Sequence, residues 1–437
     1  MGVRQGDNLS PTLFSIFLND LATGIKNLNL GIDIDNYNLT ILLYADDIVL
    51  LAPSPEKLQQ QIDYVNEWCK KWRMNVNADK TQIVHFRPLR HSQSAFVWRF
   101  GNEVLQVVSS YRYLGVYLHE NLDFKVMADA MATSASRALG ALRYKLHNLK
   151  ECRYDTITKL YSCCIVPILD YSAAVWGYKP FSKPDTIQHR VIRYFLGVHR
   201  FAANSMIEGD MGWLPCIYRR RLLMLNLWNR LVLCNPARLL YKVFSWDKRF
   251  VNSRSWTSEV RTILTTVEQL DCFSINAPCD VVSAYSAMSA ISEADWECKR
   301  YRFPKLRYYN MYKSVFHVED YVKCNMPKWQ RSILAQFRAG ILPLEVEIGR
   351  YQNIELQNRI CKICSLSEVE DEIHFLCQCP FYNELRTDLY FLANEAYQDF
   401  DSLDLLDKFV YLLANMQKQV SVFLLKAIHK RRDYFYQ

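Results

Sequence analysis

Residues 39–52 read LTILLYADDIVLLA, two apolar runs enclosing a single pair of carboxylates, Asp46 and Asp47. This pattern predicts a buried β-hairpin with the acids at its turn. Adjacent aspartates in apolar surroundings repel each other and lose hydration, so a fold keeps them in a solvated turn or beside cations. Two readings stay open on these residues alone. Asp is common in exposed turns, and hard carboxylate oxygens also suit Mg²⁺ or Mn²⁺, the ions that clamp phosphoryl-transfer reactions.

Working outward, Ser10-Pro11 has the form of an N-cap followed by proline, and Leu13, Phe14, Phe17, Leu18, Leu21 and Ile25 follow at helical spacing. Beyond the hairpin, Ser54-Pro55 repeats the signal, and Leu58, Ile62, Val65, Trp68 and Trp72 predict a second helix packed on it. Strands are expected around Thr81 to Phe86 and Val104 to Tyr117, the latter within YRYLGVYL. From about residue 126 the pattern turns helical for over a hundred residues. The expected fold class is α+β, with units at 1–125, 126–250 and 301–437 joined by a loosely patterned connector at 251–300. The last unit ends in VSVFLLKAIHKRRDYF, where Val420, Phe423, Leu424, Ala427 and Ile428 share one apolar face.

Composition narrows the classes of function. The chain has 437 residues, with 53 Lys or Arg against 45 Asp or Glu, a net charge of +8. Gly 13 and Pro 14 are too few for a collagenous or low-complexity chain, and the apolar half of the sequence excludes disorder throughout. No run of about 18 apolar residues suggests a membrane span, and MGVRQGDNLSP lacks the apolar core of a signal peptide. The expectation is an intracellular protein with reduced thiols, nucleus and cytoplasm not being distinguishable, and with no membrane partner. Charge is uneven: residues 131–260 hold 20 basic against 8 acidic residues. Tyr144, Tyr154, Tyr161, Tyr171, Trp176, Tyr178, Tyr194 and Phe195 interleave with them. The mixture suits either a nucleic-acid surface or a basic helical surface over an aromatic core.

Fourteen cysteines are too sparse for a disulfide scaffold, so patterned cysteines are tested as metal ligands. Cys361 and Cys364 are separated by two residues, His374 follows after nine more and Cys379 after another four. Thiolate and imidazole at such spacing suit a closed, structural Zn²⁺ site. Cys377 is a spare that could replace Cys379. The acidic run Glu368, Glu370, Asp371, Glu372 beside them argues against direct phosphate contact on that face.

GVRQGDNLSPTLF at 2–14, YADD at 44–47, NVNADKT at 75–81 and YLGVYL at 113–118 resemble, in order and spacing, successive motifs of reverse transcriptases of non-LTR, LINE-like retrotransposons. LYSCCIVPILDYSAAVWG at 160–177 is similar to the thumb segment of those elements. The resemblance implies a partial polymerase palm (helix, hairpin, helix, strands) over 1–125, a basic helical thumb and following helices over 126–250, and a mainly helical C-terminal domain with a zinc-knuckle-like module. It makes Asp46 and Asp47 the metal-binding acids, places Tyr44 beside the primer terminus, and sets Gln5 and Gly6 near the incoming nucleotide and template base. Lys80 then approaches the departing pyrophosphate, Leu114 and Gly115 form the primer grip, and Cys361, Cys364, His374 and Cys379 hold zinc. The partners implied are an RNA template, a DNA primer and deoxynucleotides; oligomeric state is left open. The family's further palm aspartate lies in a motif upstream of the loop with which this sequence starts, as do the fingers. The expectation is therefore a chain inactive alone, a fragment of an RNA-directed DNA polymerase. The rivals are a non-catalytic nucleic-acid-binding remnant and a zinc-supported protein-interaction module. Ile168 to Ala174, with Asp170, loosely imitates the missing motif and raises a permuted palm as a further, weaker alternative.

Overall fold

The computed structural model describes residues 6–147, 152–250 and 255–435. Contacts divide the chain into two units, each discontinuous in sequence: Met1–Met127 with Leu227–Cys279, and Ala128–Asn226 with Asp280–Gln437. The basic stretch is thus shared out, residues 128–226 building one unit and those from 227 onward the other. Residues 255–300 are mostly helical, in the segments Trp256–Thr266, Leu270–Ser274 and Val281–Arg300.

In the first unit, α1 (Ser10–Asn27) precedes the hairpins β1 (Ile32–Ile34) with β2 (Tyr37–Leu39) and β3 (Ile41–Tyr44) with β4 (Asp47–Leu50). Ser10 is the first helical residue rather than the cap. Leu9 holds the cap position, and its N–H donates to Asp7 Oδ1 at 2.9 Å. α2 (Pro55–Trp72) starts as expected, with Ser54 Oγ accepting from the Lys57 N–H. The two helices pack through Leu18, Leu21 and Ile25 against Val65, Trp68 and Cys69, with Ile41 of β3 beneath them. Gly24 permits the approach, since a Cβ there would lie 1.8 Å from the Tyr64 hydroxyl. Trp72 is largely exposed, but its edge meets Phe17 and its indole N–H donates to Asp20.

Short strands follow: β5 (Gln82–Ile83), β6 (Arg99–Phe100), β7 (Glu103–Val104), β8 (Gln106–Val107), β9 (Ser110–Tyr113) and β10 (Val116–His119). Every sheet among the described residues has two strands; only β5 with β8 is parallel. Ile62, Ile83, Trp98 and Leu105 form a second small core below them. The helix Leu239–Arg249 packs on the first hairpin, pairing Arg249 with Asp35 and setting Lys242 over the Tyr37 ring.

The second unit is helical around one large apolar core that runs from Ala132 to Ala427. Val420, Phe423, Leu424 and Ala427 are buried as their spacing predicts. A cluster of charge is buried here. Asp210 accepts from Arg338 Nε and Nη2 at 2.8 and 2.9 Å and from the hydroxyls of Tyr309 and Tyr321 at 2.8 and 2.7 Å. Glu319 takes Arg338 Nη2 at 3.0 Å, Lys313 Nζ at 2.6 Å and Gln417 Nε2 at 2.7 Å. Two cations and two anions therefore cancel out of contact with water, the condition under which buried charge is tolerated. Asp170 belongs to this unit and is ion-paired with Arg219. Oδ2 is the atom engaged, and Oδ1 is buried without a hydrogen-bond partner.

Candidate functional site

The two-residue loop Ala45-Asp46 closes the β3–β4 hairpin, with Tyr44 opposite Asp47 in the ladder. Ala45 takes a left-handed φ of 50°, turning the chain tightly enough to leave both carboxylates exposed. Asp46 and Asp47 line a cavity of about 820 Å³ whose walls include Lys80, Tyr111, Tyr113 and Leu118. Lys80 ends a single 3₁₀ turn, Ala78–Lys80, pinned by its own N–H donating to Asn77 Oδ1 at 3.1 Å. Burial, and then the Asp47 charge, push the Tyr113 hydroxyl above the usual phenol range. Tyr111 and Tyr113 were not singled out from the sequence. The signal was present in YRY, because alternation along a strand puts 111 and 113 on one face and Arg112 on the other.

Leu114 and Gly115 form the loop between β9 and β10, with φ of 46° and 83°. A two-residue loop with both φ positive is the geometry that matches strand twist, and Leu114 adopts it at a steric cost that Gly115 does not incur. Gly6 has a φ of 86° and open space where a Cβ would stand. Gly6, Tyr44, Leu114 and Gly115 are not among the cavity's lining residues. Gln5 lies outside the described residues.

The second constellation is in the other unit. Cys361 Sγ, Cys364 Sγ, a His374 ring nitrogen and Cys379 Sγ all lie within 4.8 Å of one another. Sulfurs of a tetrahedron with Zn–S of about 2.3 Å stand about 3.8 Å apart, so the donor set fits zinc in chemistry and scale. Backbone pairing builds the first half. Ile360 bridges Val369 antiparallel, and the Cys361 N–H donates to the Glu368 carbonyl at 2.8 Å, so the intervening turn presents Cys364 beside Cys361. Asp371 Oδ1 then accepts from the His374 N–H at 2.8 Å, capping the turn that carries the other two ligands. His374 Nε2 is 3.4 Å from Cys364 Sγ, while Nδ1 stands 3.5 Å from Glu368 Oε2, a charge contact longer than a hydrogen bond.

Hydrogen bonds from Cys379, chiefly, and from His374 hold the Cys361 thiol well below the usual thiol range, against its burial. The same bond and burial push Cys379 above the usual thiol range, and burial raises Cys364. Burial pushes His374 down, but the Cys361 sulfur and Glu368 outweigh it and the ring ends above its usual value. Three thiols and an imidazole sharing protons in this way are groups that a dication would deprotonate and bind. Cys377 is not one of the four; it is buried elsewhere, its thiol pushed up to about 12 by desolvation. Among the described residues this is the one grouping of three or more such ligands, so no third acid joins Asp46 and Asp47.

The acidic run is not a solvated face. Glu370 pairs with Arg431, Glu372 accepts two bonds from Arg307 at 2.9 Å, and Tyr308 donates to Asp371. Only Glu368 is largely exposed. In the basic stretch, Tyr161, Trp176 and Phe195 are core residues, whereas Tyr144 and Tyr171 are exposed and Tyr194 lies beneath Arg143 and Lys328.

Residues 1–118 match the family model described as reverse transcriptase (RNA-dependent DNA polymerase). The chain is 28% identical over 220 residues to the RNA-directed DNA polymerase from mobile element jockey of Drosophila funebris, an alignment covering 48% of this chain and 23% of that protein. It is 26% identical over 219 residues to a probable RNA-directed DNA polymerase from transposon BS of Drosophila melanogaster, covering 48% and 24%. A third relative is the probable RNA-directed DNA polymerase from transposon X-element of Drosophila melanogaster, at 22% over 221 residues, covering 48% and 23%. The chain thus spans under a quarter of each of these relatives. Asp46, Asp47, Lys80, Tyr111 and Tyr113 all fall inside the matched segment. The Cys/His constellation falls outside it.

Proposed function

We propose that the chain supplies part of an RNA-directed DNA polymerase: the second half of the palm, a basic helical thumb and a zinc-stabilised C-terminal domain. The observation that carries this reading is the meeting of Asp46, Asp47 and Lys80 on one cavity within the segment that matches the reverse transcriptase model. Asp46 and Asp47 would hold Mg²⁺ or Mn²⁺, which lowers the pKa of a primer 3′ hydroxyl and polarises the α-phosphate of a deoxynucleotide. Lys80 donates a proton to the departing pyrophosphate, a role suited to an exposed ammonium facing phosphate charge. Tyr44 adjoins the primer terminus, Gln5 and Gly6 adjoin the incoming nucleotide, and Leu114 and Gly115 hold the primer strand. Exposed cations of residues 131–260 neutralise template and primer phosphates, with Tyr144 free to stack on a base. Cys361, Cys364, His374 and Cys379 would hold Zn²⁺, which closes the surrounding loops as a structural ion.

A second reading, nucleic-acid binding without catalysis, is favoured by one observation: no third carboxylate stands with Asp46 and Asp47 among the described residues. Nucleotidyl transfer depends on positioned charge, so two acids alone should leave both metal affinity and nucleophile alignment deficient. Primer extension on homopolymer RNA with Mg²⁺ or Mn²⁺ tests the two. The polymerase reading expects no extension by the chain alone. Extension should appear when a second polypeptide carrying the aspartate-bearing palm segment of a relative is added, and Asp46→Ala with Asp47→Ala should abolish it. If that addition restores nothing while salt-sensitive RNA binding persists, the binding reading replaces it.

A further inference from the structure

We propose that Arg386 positions the Cys379 thiolate for zinc by gripping the turn that links Cys379 to His374. The inference rests on the zinc reading given above. Residues five apart lie on different sides of an ordinary α-helix, since five steps of about 100° carry the chain about 140° past a full turn. His374 and Cys379 nevertheless meet in one ligand set. They do so because His374–Gln378 form a π-turn, in which the Cys379 N–H donates to the His374 carbonyl at 2.7 Å. Single π-turns are rare and recur where a side chain must be re-aimed for function.

Arg386 holds that turn from the first turns of the helix Asn383–Ala396. Its Nε donates to the Leu376 carbonyl inside the π-turn and its Nη2 to the Cys379 carbonyl, both at 2.9 Å, while Nη1 is fixed by Asn383 Oδ1 at 2.6 Å. The guanidinium is buried, and among the described residues it pairs with no carboxylate. Its planar fork sets the spacing between the middle of the turn and the ligand residue; a lysine ammonium reaches one carbonyl or the other. Charge agrees with geometry, because three thiolates around a dication leave one negative charge, for which this buried cation is the adjacent counter-charge. Tyr390 lies one turn further along the same helix and donates only to the Cys377 carbonyl, at 3.2 Å. It therefore serves as the control.

The test uses the full chain and three variants, Arg386→Lys, Arg386→Met and Tyr390→Phe. Zinc affinity is read by competition with a chromophoric chelator, and ligand geometry by the absorption bands of the Co²⁺-substituted protein. Both arginine variants should bind zinc about 10- to 100-fold more weakly, the range typical for loss of a residue that orients a metal ligand. Their Co²⁺ spectra should lose thiolate-to-metal intensity, and Tyr390→Phe should match the parent in both readouts. Arg386→Met with parental affinity and an unchanged Co²⁺ spectrum overturns the proposal, as does a fall in melting temperature with both metal readouts unmoved. Should Arg386→Met not fold by circular dichroism, Arg386→Lys decides by the same criteria. A parent chain that takes up neither Zn²⁺ nor Co²⁺ overturns the zinc reading together with this one, whereas a tetrahedral parent with unaltered arginine variants overturns this one alone.

Discussion

Replacing Asp210 by Asn tests whether the buried charges of the helical unit act as one balanced set. The carboxylate accepts four hydrogen bonds, two from Arg338 and one each from Tyr309 and Tyr321, and has no exposed surface. The amide is nearly the same size but keeps one acceptor atom, turns two N–H groups toward existing donors, and leaves Arg338 and Lys313 facing Glu319 alone. Removing one partner from a buried pair costs about 3–5 kcal/mol, because the remaining charge stays out of water. At about 2–4 °C per kcal/mol for a unit of this size, the helical unit should melt roughly 6–20 °C lower. Tyr309→Phe removes a single hydrogen bond to the carboxylate and should cost only about 1.5–3 kcal/mol. Thermal and urea unfolding of the full chain, followed by circular dichroism, gives both values. Asp210→Leu combined with Arg338→Met should be less damaging than either change alone, since it removes a cation and an anion together. The reasoning is refuted if Asp210→Asn costs no more than Tyr309→Phe, or if the paired change is simply the sum of its parts.

Arg220 presents the opposite case: its guanidinium is buried between Trp176 and Phe181 with Nη1 and Nη2 unbonded, so Arg220→Met should raise the stability of the helical unit, by about 1–4 kcal/mol in urea titrations. Leu114→Gly should stabilise the first unit by about 1 kcal/mol in urea titrations by relieving a left-handed φ, and the primer-grip reading expects it to lower extension by the complemented enzyme. On the zinc reading, a strong chelator should sensitise residues 359–382 of the zinc-loaded chain to protease. It should also lower the stability of the helical unit by about 2.7 kcal/mol relative to free zinc at a hundredfold over Kd, as measured by melting. For Glu347, burial pushes the carboxyl up, but hydrogen bonds from Arg350 and Lys305 outweigh it and hold the group below 4.5. Its contribution is present above the unfolded value and disappears as pH falls through the lower folded one. Between pH 6 and 3 the parent should therefore lose more melting temperature than Glu347→Gln, and equal slopes would remove the ion pair from the account.

What could be read in the sequence was local. The β3–β4 hairpin, the start of α2 and the apolar face of the C-terminal helix follow from periodicity and capping residues, which report a segment's own geometry. The Cys/His set was legible because ligand type and spacing are themselves chemistry, and the resemblance already favoured Cys379 over Cys377; the π-turn that carries Cys379 has no sequence period and was not legible. The partners of the acidic run, Arg431, Tyr308 and Arg307, were not legible because they lie 61, 63 and 65 residues away. The aromatics of the basic stretch could not be sorted into core and surface for the same reason: residue type says what a side chain can do, not which neighbour covers it. The recruitment of residues 227–279 to the first unit was likewise hidden, since contacts such as Lys242 over Tyr37 leave no local mark.

The interleaving of the two units bears on how the polypeptide is made. Residues 128–226 leave the ribosome before residues 280–437, which complete their core, have been synthesised. At about 5–20 residues per second, the first half of the helical unit waits roughly 10–40 s for its other half. During that interval Ile165, Leu169, Ile192 and Leu196 have no Phe337, Leu412 or Leu424 to pack against. The nascent chain should be a holdase client through this window, and slowing translation after residue 226 should lower the soluble yield more than slowing it before residue 127.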